Sequence, residues 1–184
     1  MLADPRVVRF GLLSSVSFGF GVILSNWVVT LLQRTGGLGR GTAGAIASLI
    51  LILGIVGRPT GGFVMRWRPA LARPMLAASF VAGAAGTMLL VLSLSGASDA
   101  LGAALAGLAA GIPFGVTVTG AARTFPRAAG TAVAAMNSYP VLAIVCGTPL
   151  VGLTFGLPSD GRLGFVVVAA LWLSASVLLR RLDT

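Results

Sequence analysis

Apolar residues run along this chain in stretches about as long as a bilayer is thick, separated by short segments rich in arginine, proline and aspartate. A membrane-crossing helix needs about 20 mostly apolar residues. Six stretches meet that requirement, at about residues 10–32, 42–63, 74–94, 101–122, 128–155 and 163–179. Arg6 and Arg9 precede the first and Arg34 follows it; the second is short and ends at Arg58 and Pro59. Pro140 and Pro149 lie inside the fifth, and Arg162 and the pair Arg180 and Arg181 bound the sixth. The predicted fold is therefore an all-α membrane protein, a single transmembrane domain of six helices over residues 1–184. A signal peptide would have an apolar core of about 7–15 residues, shorter than the first run.

Composition sharpens this picture by exclusion. Hydrophobic residues make up 57% and charged residues 9%, where a soluble domain carries roughly 25% charged. Every basic residue is Arg and every acidic one Asp, with His, Lys and Glu absent. No histidine or glutamate can act as a general base and no lysine can form a Schiff base. Cys146 is alone, so it builds neither a disulfide nor a metal cluster. The expectation is a non-enzyme without cofactor or metal. The net charge of +9 does not point to nucleic acid, because the arginines separate apolar runs instead of lining a polar face.

Their positions carry a topology signal instead. Arg6, Arg9, Arg58, Arg66, Arg68, Arg73, Arg123, Arg127, Arg180 and Arg181 fall on one side of the six-span map, against Arg34, Arg40 and Arg162 on the other. Cytoplasmic loops concentrate Arg and Lys, so both termini are expected in the cytoplasm. Attraction to anionic headgroups of the lipid bilayer is a secondary consequence.

Inside the spans the reading is of small and neutral residues. No charged side chain needs to sit at the centre of a span, and Asp4, Asp99, Asp160 and Asp183 all fall in loops or termini, so no buried proton carrier is expected. Gly107, Gly111 and Gly115 recur every four residues in the fourth span, a spacing that lets a neighbouring helix approach closely. Pro113, flanked by Gly111 and Gly115, also permits a kink of the kind found in helices that line cavities. Asn26 and Trp27 in the first span, Thr117 in the fourth, and Asn137 and Tyr139 in the fifth are the notable polar groups. For the two amides, a hydrated cavity and interhelical hydrogen bonding are both open readings.

The stretch from Gly57 through Arg58, Pro59, Thr60, Gly61, Gly62, Phe63, Val64 and Met65 to Arg66 resembles the cytoplasmic loop motif of the major facilitator superfamily. In that motif a glycine permits a tight turn, and an Asp followed by an Arg holds the cytoplasmic gate. Here Gly61 takes the glycine place, Arg66 the arginine place, and Met65 stands where the Asp would be. The text from Asp4 through Asn26 and Trp27, and the stretches around Pro113, Pro126 and Pro149, are similar to the carboxyl-terminal six spans of a bacterial permease of that superfamily, of the nitrate/nitrite or cyanate type. The resemblance implies half of a major facilitator fold, a 3+3 inverted repeat, in a bacterial inner membrane. It implies that the first and fourth spans line a cavity, making Asn26, Trp27, Gly111, Pro113, Phe114 and Thr117, then Asn137 and Tyr139, the candidate lining residues. Gly57, Arg58, Gly61 and Arg66 belong to the loop motif.

Family members have two such halves with the substrate between them. The expected function is alternating-access transport of a small-molecule solute after pairing with a second six-span half, either another copy or a separately encoded chain. The other reading is a non-transporting subunit or anchor of a larger membrane complex.

Overall fold

The structure is a computed structural model that describes residues 2–181. It is all-helical, without a strand among those residues, and consists of α1 (Pro5–Thr35), α2 (Arg40–Trp67), α3 (Pro69–Leu92), α4 (Gly96–Thr124), α5 (Pro126–Gly156) and α6 (Arg162–Arg181). The first five are each long and apolar enough to cross a membrane, and α6 adds a sixth apolar helix of 20 residues. The chain is thus a multi-pass membrane protein. Arg180 and Arg181, used above for topology, have side chains outside the described part, and Asp183 lies outside the described residues altogether.

Each helix begins before the apolar run that announced it, and all but α3 also end beyond it. The difference that bears on the site is in α2, which continues through Arg58 and Pro59 to Trp67. Gly57, Arg58, Gly61 and Arg66 are therefore helical, and not a cytoplasmic loop. The reason is packing. Proline removes a single intrahelical hydrogen bond, the one to the Ile55 carbonyl, whereas Gly54, Gly57 and Gly61 press backbone to backbone against Gly107, Gly111 and Gly115 of α4. A methyl group added at Gly111 would overlap the Gly54 carbonyl oxygen, one at Gly61 the Ile112 carbonyl, and one at Gly115 the Arg58 carbonyl. These glycines form a close parallel seam, the helix-packing use of the four-residue spacing.

Helix α4 occupies the centre. It packs against α2 on one side and α3 on another, where Gly86 and Gly102 repeat the close approach. Helix α6 packs on α3, with the buried Trp172 ring laid over Gly83. Helix α1 runs antiparallel to α4, with Gly21 against Ala110 and Phe10 against Gly120, and parallel to α5, with Gly11 against Tyr139 and Gly147 against Ile23. Arg6, Arg9, Arg66, Arg68, Arg73, Arg123 and Arg127 gather at one end of the bundle, and Arg34, Arg40 and Arg162 lie at the other.

The helix break lies elsewhere than expected. Helix α4 passes through the buried Pro113 with no interruption of helical residues. The 3-10 turns lie at the ends of α3 and α5; the departure from α geometry in the interior of a helix is a π-helical segment, Ser15–Gly19, within α1. Such segments loosen the backbone ladder; here the Ser15 and Ser17 hydroxyls donate to the carbonyls of Gly11 (2.9 Å) and Leu13 (3.0 Å). Asp99 is a second correction. It belongs to the first turn of α4, which the Ser95 and Ser98 capping box starts five residues before the apolar run. Asp99 is only 1% exposed; its Oδ2 accepts from Ser93 Oγ at 3.0 Å and its Oδ1 has no hydrogen-bond partner.

Candidate functional site

The sequence candidates separate into groups that do not meet. Trp27 ties α1 to α5: its Nε1 donates to the Thr148 carbonyl (2.8 Å), its ring stacks on Phe155 at 5.2 Å between centroids, and Gly152 makes room for it. One turn of helix and more beyond, Arg34 donates to the Phe155 carbonyl (2.8 Å) with its guanidinium over the same ring (5.5 Å). Asn26 is exposed, with Nδ2 3.4 Å from Thr148 Oγ1, so it joins this α1–α5 tie. Tyr139 serves the opposite end, donating to the Leu2 carbonyl at 2.7 Å. Asn137 lies half-buried in a shallow apolar groove on α5 with Ser138, Val141 and Val145. Gly111 and Pro113 are buried in the helix packing, and the Thr117 hydroxyl donates to the Phe114 carbonyl of its own helix (2.9 Å). Of the cavity candidates, Phe114 and Gly111 reach the site described next.

That site centres on Arg58, which the sequence pattern alone places in a loop. Helix α2 is 28 residues long, about 42 Å at 1.5 Å per residue. Arg58 lies nine residues, about 14 Å, from its Trp67 end. With the helix centred in an apolar slab about 30 Å thick, Arg58 is about 8 Å inside the slab edge. Between positions 41 and 65 it is the sole charged residue. A guanidinium costs about 2.5–3.5 kcal/mol at the centre of a membrane helix on insertion scales, and less toward the slab edge.

Two aromatic rings offset part of that cost. The Arg58 guanidinium carbon is 5.3 Å from the Phe18 ring centre and 4.9 Å from that of Phe114, and the rings themselves are 4.9 Å apart. Cation–π contacts of this kind contribute about 0.5–2 kcal/mol each. Phe18 comes from the π-helical segment of α1, whose altered winding sets where that ring points. No described carboxylate lies within ion-pair distance of Arg58, and its buried Nε has no hydrogen-bond partner.

Beside Arg58 is a cavity of about 150 Å³, room for about five waters, lined by Phe18, Val22 and Ser25 of α1, Ile55 of α2 and Gly111 of α4, among others. A half-buried guanidinium without a carboxylate partner, its Nε buried and unpartnered beside a small cavity, is suited to bind an anion through charge-assisted hydrogen bonds.

The arginine at the mouth of this helix pair is differently occupied. Arg123 of α4 donates through Nη1 to the carbonyls of Met65 (2.9 Å) and Arg66 (3.0 Å), closing the carbonyl end of α2. Position 65, where the facilitator motif would have a carboxylate, thus takes part in an interhelical contact through its backbone. Among the described residues no group of His, Cys, Asp and Glu could hold a metal ion. The chain matches no family model, no curated protein and no solved structure.

Proposed function

We propose that the protein is a half-size transporter of the major facilitator type that moves a small anion by alternating access, with Arg58 as its anion-binding group. The observation that carries this reading is Arg58 itself: a guanidinium within a membrane helix, without a carboxylate, its Nε buried and unpartnered, beside a small cavity. A charge is retained at such cost where it does work. In this reading both termini are cytoplasmic, the arginine-rich end faces the cytoplasm, and two six-helix units pair so that each covers the other's cavity. Helices α2 and α5, the least buried of the spans, offer the apolar surface for that pairing.

The test is flux in phosphatidylcholine liposomes. The purified protein is expected to give saturable uptake of nitrate, nitrite or cyanate and none of an uncharged sugar. Crosslinking in native membranes and mass measurement in mild detergent are expected to show a pair of six-helix units. A monomer that transports contradicts the pairing. Absence of flux for every anion, with co-purification in a stable complex, contradicts transport and leaves the subunit reading.

A further inference from the structure

We propose that the groove between the arginine-rich ends of α2 and α4 is a second anion site, in series with Arg58, which holds a small free anion before it reaches or after it leaves the deeper cavity. The proposal rests on the reading of Arg58 as the inner site. The groove has a volume of about 550 Å³ and is lined by Arg66, Trp67, Val118, Thr119, Ala122 and Arg123. It contains two guanidinium groups and a hydroxyl, and no carboxylate lines it.

Its alignment with Arg58 follows from helix geometry. Residues four apart stack on one face. On α2 the row through Arg58 continues to Gly62 and Arg66; on α4 the row through Phe114 continues to Val118 and Ala122. The outer groove thus continues the groove that holds the Arg58–Phe114 contact, two turns or about 12 Å further toward the helix ends. The carbonyl end of a helix is negative and would repel an anion. Here Arg123 covers the Met65 and Arg66 carbonyls, which removes that repulsion and fixes a guanidinium at the rim. Arg66, with its guanidinium carbon 5.4 Å from the Trp67 ring centre, supplies the second charge on an aromatic surface. An anion entering from this end meets Arg66 and Arg123 first and Arg58 next.

Trp67 makes the site measurable by iodide quenching of its fluorescence, with the protein in phosphatidylcholine vesicles at constant ionic strength and gluconate as the balancing anion. The quenching is expected to contain a saturable component that disappears in Trp67→Phe, weakens by about tenfold or more in Arg66→Gln, and persists in Arg58→Gln. Ala122→Asp, which leaves both arginines in place and adds a negative charge to the groove, is expected to abolish it as well. Quenching that rises linearly with the same slope in Arg66→Gln and in the unchanged protein would overturn the proposal. So would loss of the saturable component in Arg58→Gln, which would make Trp67 a reporter of the inner cavity. A response displaced by short-chain phosphatidylglycerol but not by nitrate would give the groove to a lipid phosphate and overturn it too. Failure of the Arg58 reading shows up separately, as anion flux that ignores Arg58→Gln.

Discussion

Gly111→Ala is expected to lower the stability of the folded protein by about 1–3 kcal/mol, while Gly54→Ala, at the same level of the same seam, is expected to leave it unchanged or slightly raised. The two glycines face each other across α2 and α4 but meet different surroundings. A methyl at Gly111 would overlap the Gly54 carbonyl oxygen, an atom fixed in the helix backbone, so the two helices would have to separate. A methyl at Gly54 would meet the Gly107 carbonyl at 3.6 Å, an ordinary contact distance. Replacing glycine by alanine within a helix is itself favourable by about 1 kcal/mol, so a loss at Gly111 must come from overpacking and not from helix propensity. Reversible unfolding in detergent micelles, followed by circular dichroism, measures both. Equal effects at the two positions would mean that the seam is not packed as described.

Arg58→Gln is expected to separate function from stability. Losing one charged hydrogen bond to a bound anion costs about 1.5–3 kcal/mol, which corresponds to a fall in flux of roughly 10- to 150-fold. Folding should not suffer. The guanidinium has no carboxylate partner whose charge would be left stranded, and a neutral amide removes much of the cost of a cation at this depth. The variant is therefore expected to fold at least as stably as the unchanged protein, paid for by lost activity. Flux in liposomes and the unfolding midpoint check the two halves. A variant that loses both would make Arg58 a structural residue.

Much of the architecture was legible in the sequence because lipid demands long apolar runs, and five of them became helices long enough to span. The four-residue glycine spacing was also legible as packing, since Gly107, Gly111 and Gly115 do meet α2. Helix ends were harder, and each error has a physical cause. Arg58 and Pro59 look like a boundary, because charge and proline normally end a span. Close contact with α4 carries the helix through them, so the central residue of the candidate site was assigned to a loop. The signal available was the uncharged stretch on both sides of Arg58, which continues to Met65. Asp99 was placed in a loop because the apolar run begins after it, although Ser95 and Ser98 mark the helix start. The family resemblance implies that Asn26 and Trp27 line a cavity with Phe114. The structure commits Trp27 to Thr148 and Phe155 and leaves Ser25, its neighbour but one, lining the cavity. The π-helical turn of α1, which aims Phe18 at Arg58, has no pattern that a periodicity reading could find.

The central claim is that position 58 lies inside the membrane, beside an anion-accessible cavity. Thiol accessibility tests it most directly, with Arg58→Cys and Arg68→Cys each placed in a Cys146→Ser background and treated with a small anionic methanethiosulfonate in sealed vesicles of known orientation. Position 58 is expected to react, because the cavity beside it admits a small anion, but at least about tenfold more slowly than position 68, which lies at the C-terminal end of α2. No reaction at position 58 would contradict the anion-accessible cavity. Reaction at position 58 as fast as at position 68 would contradict its place inside the membrane, putting Arg58 in the aqueous loop that its neighbours in the sequence suggest.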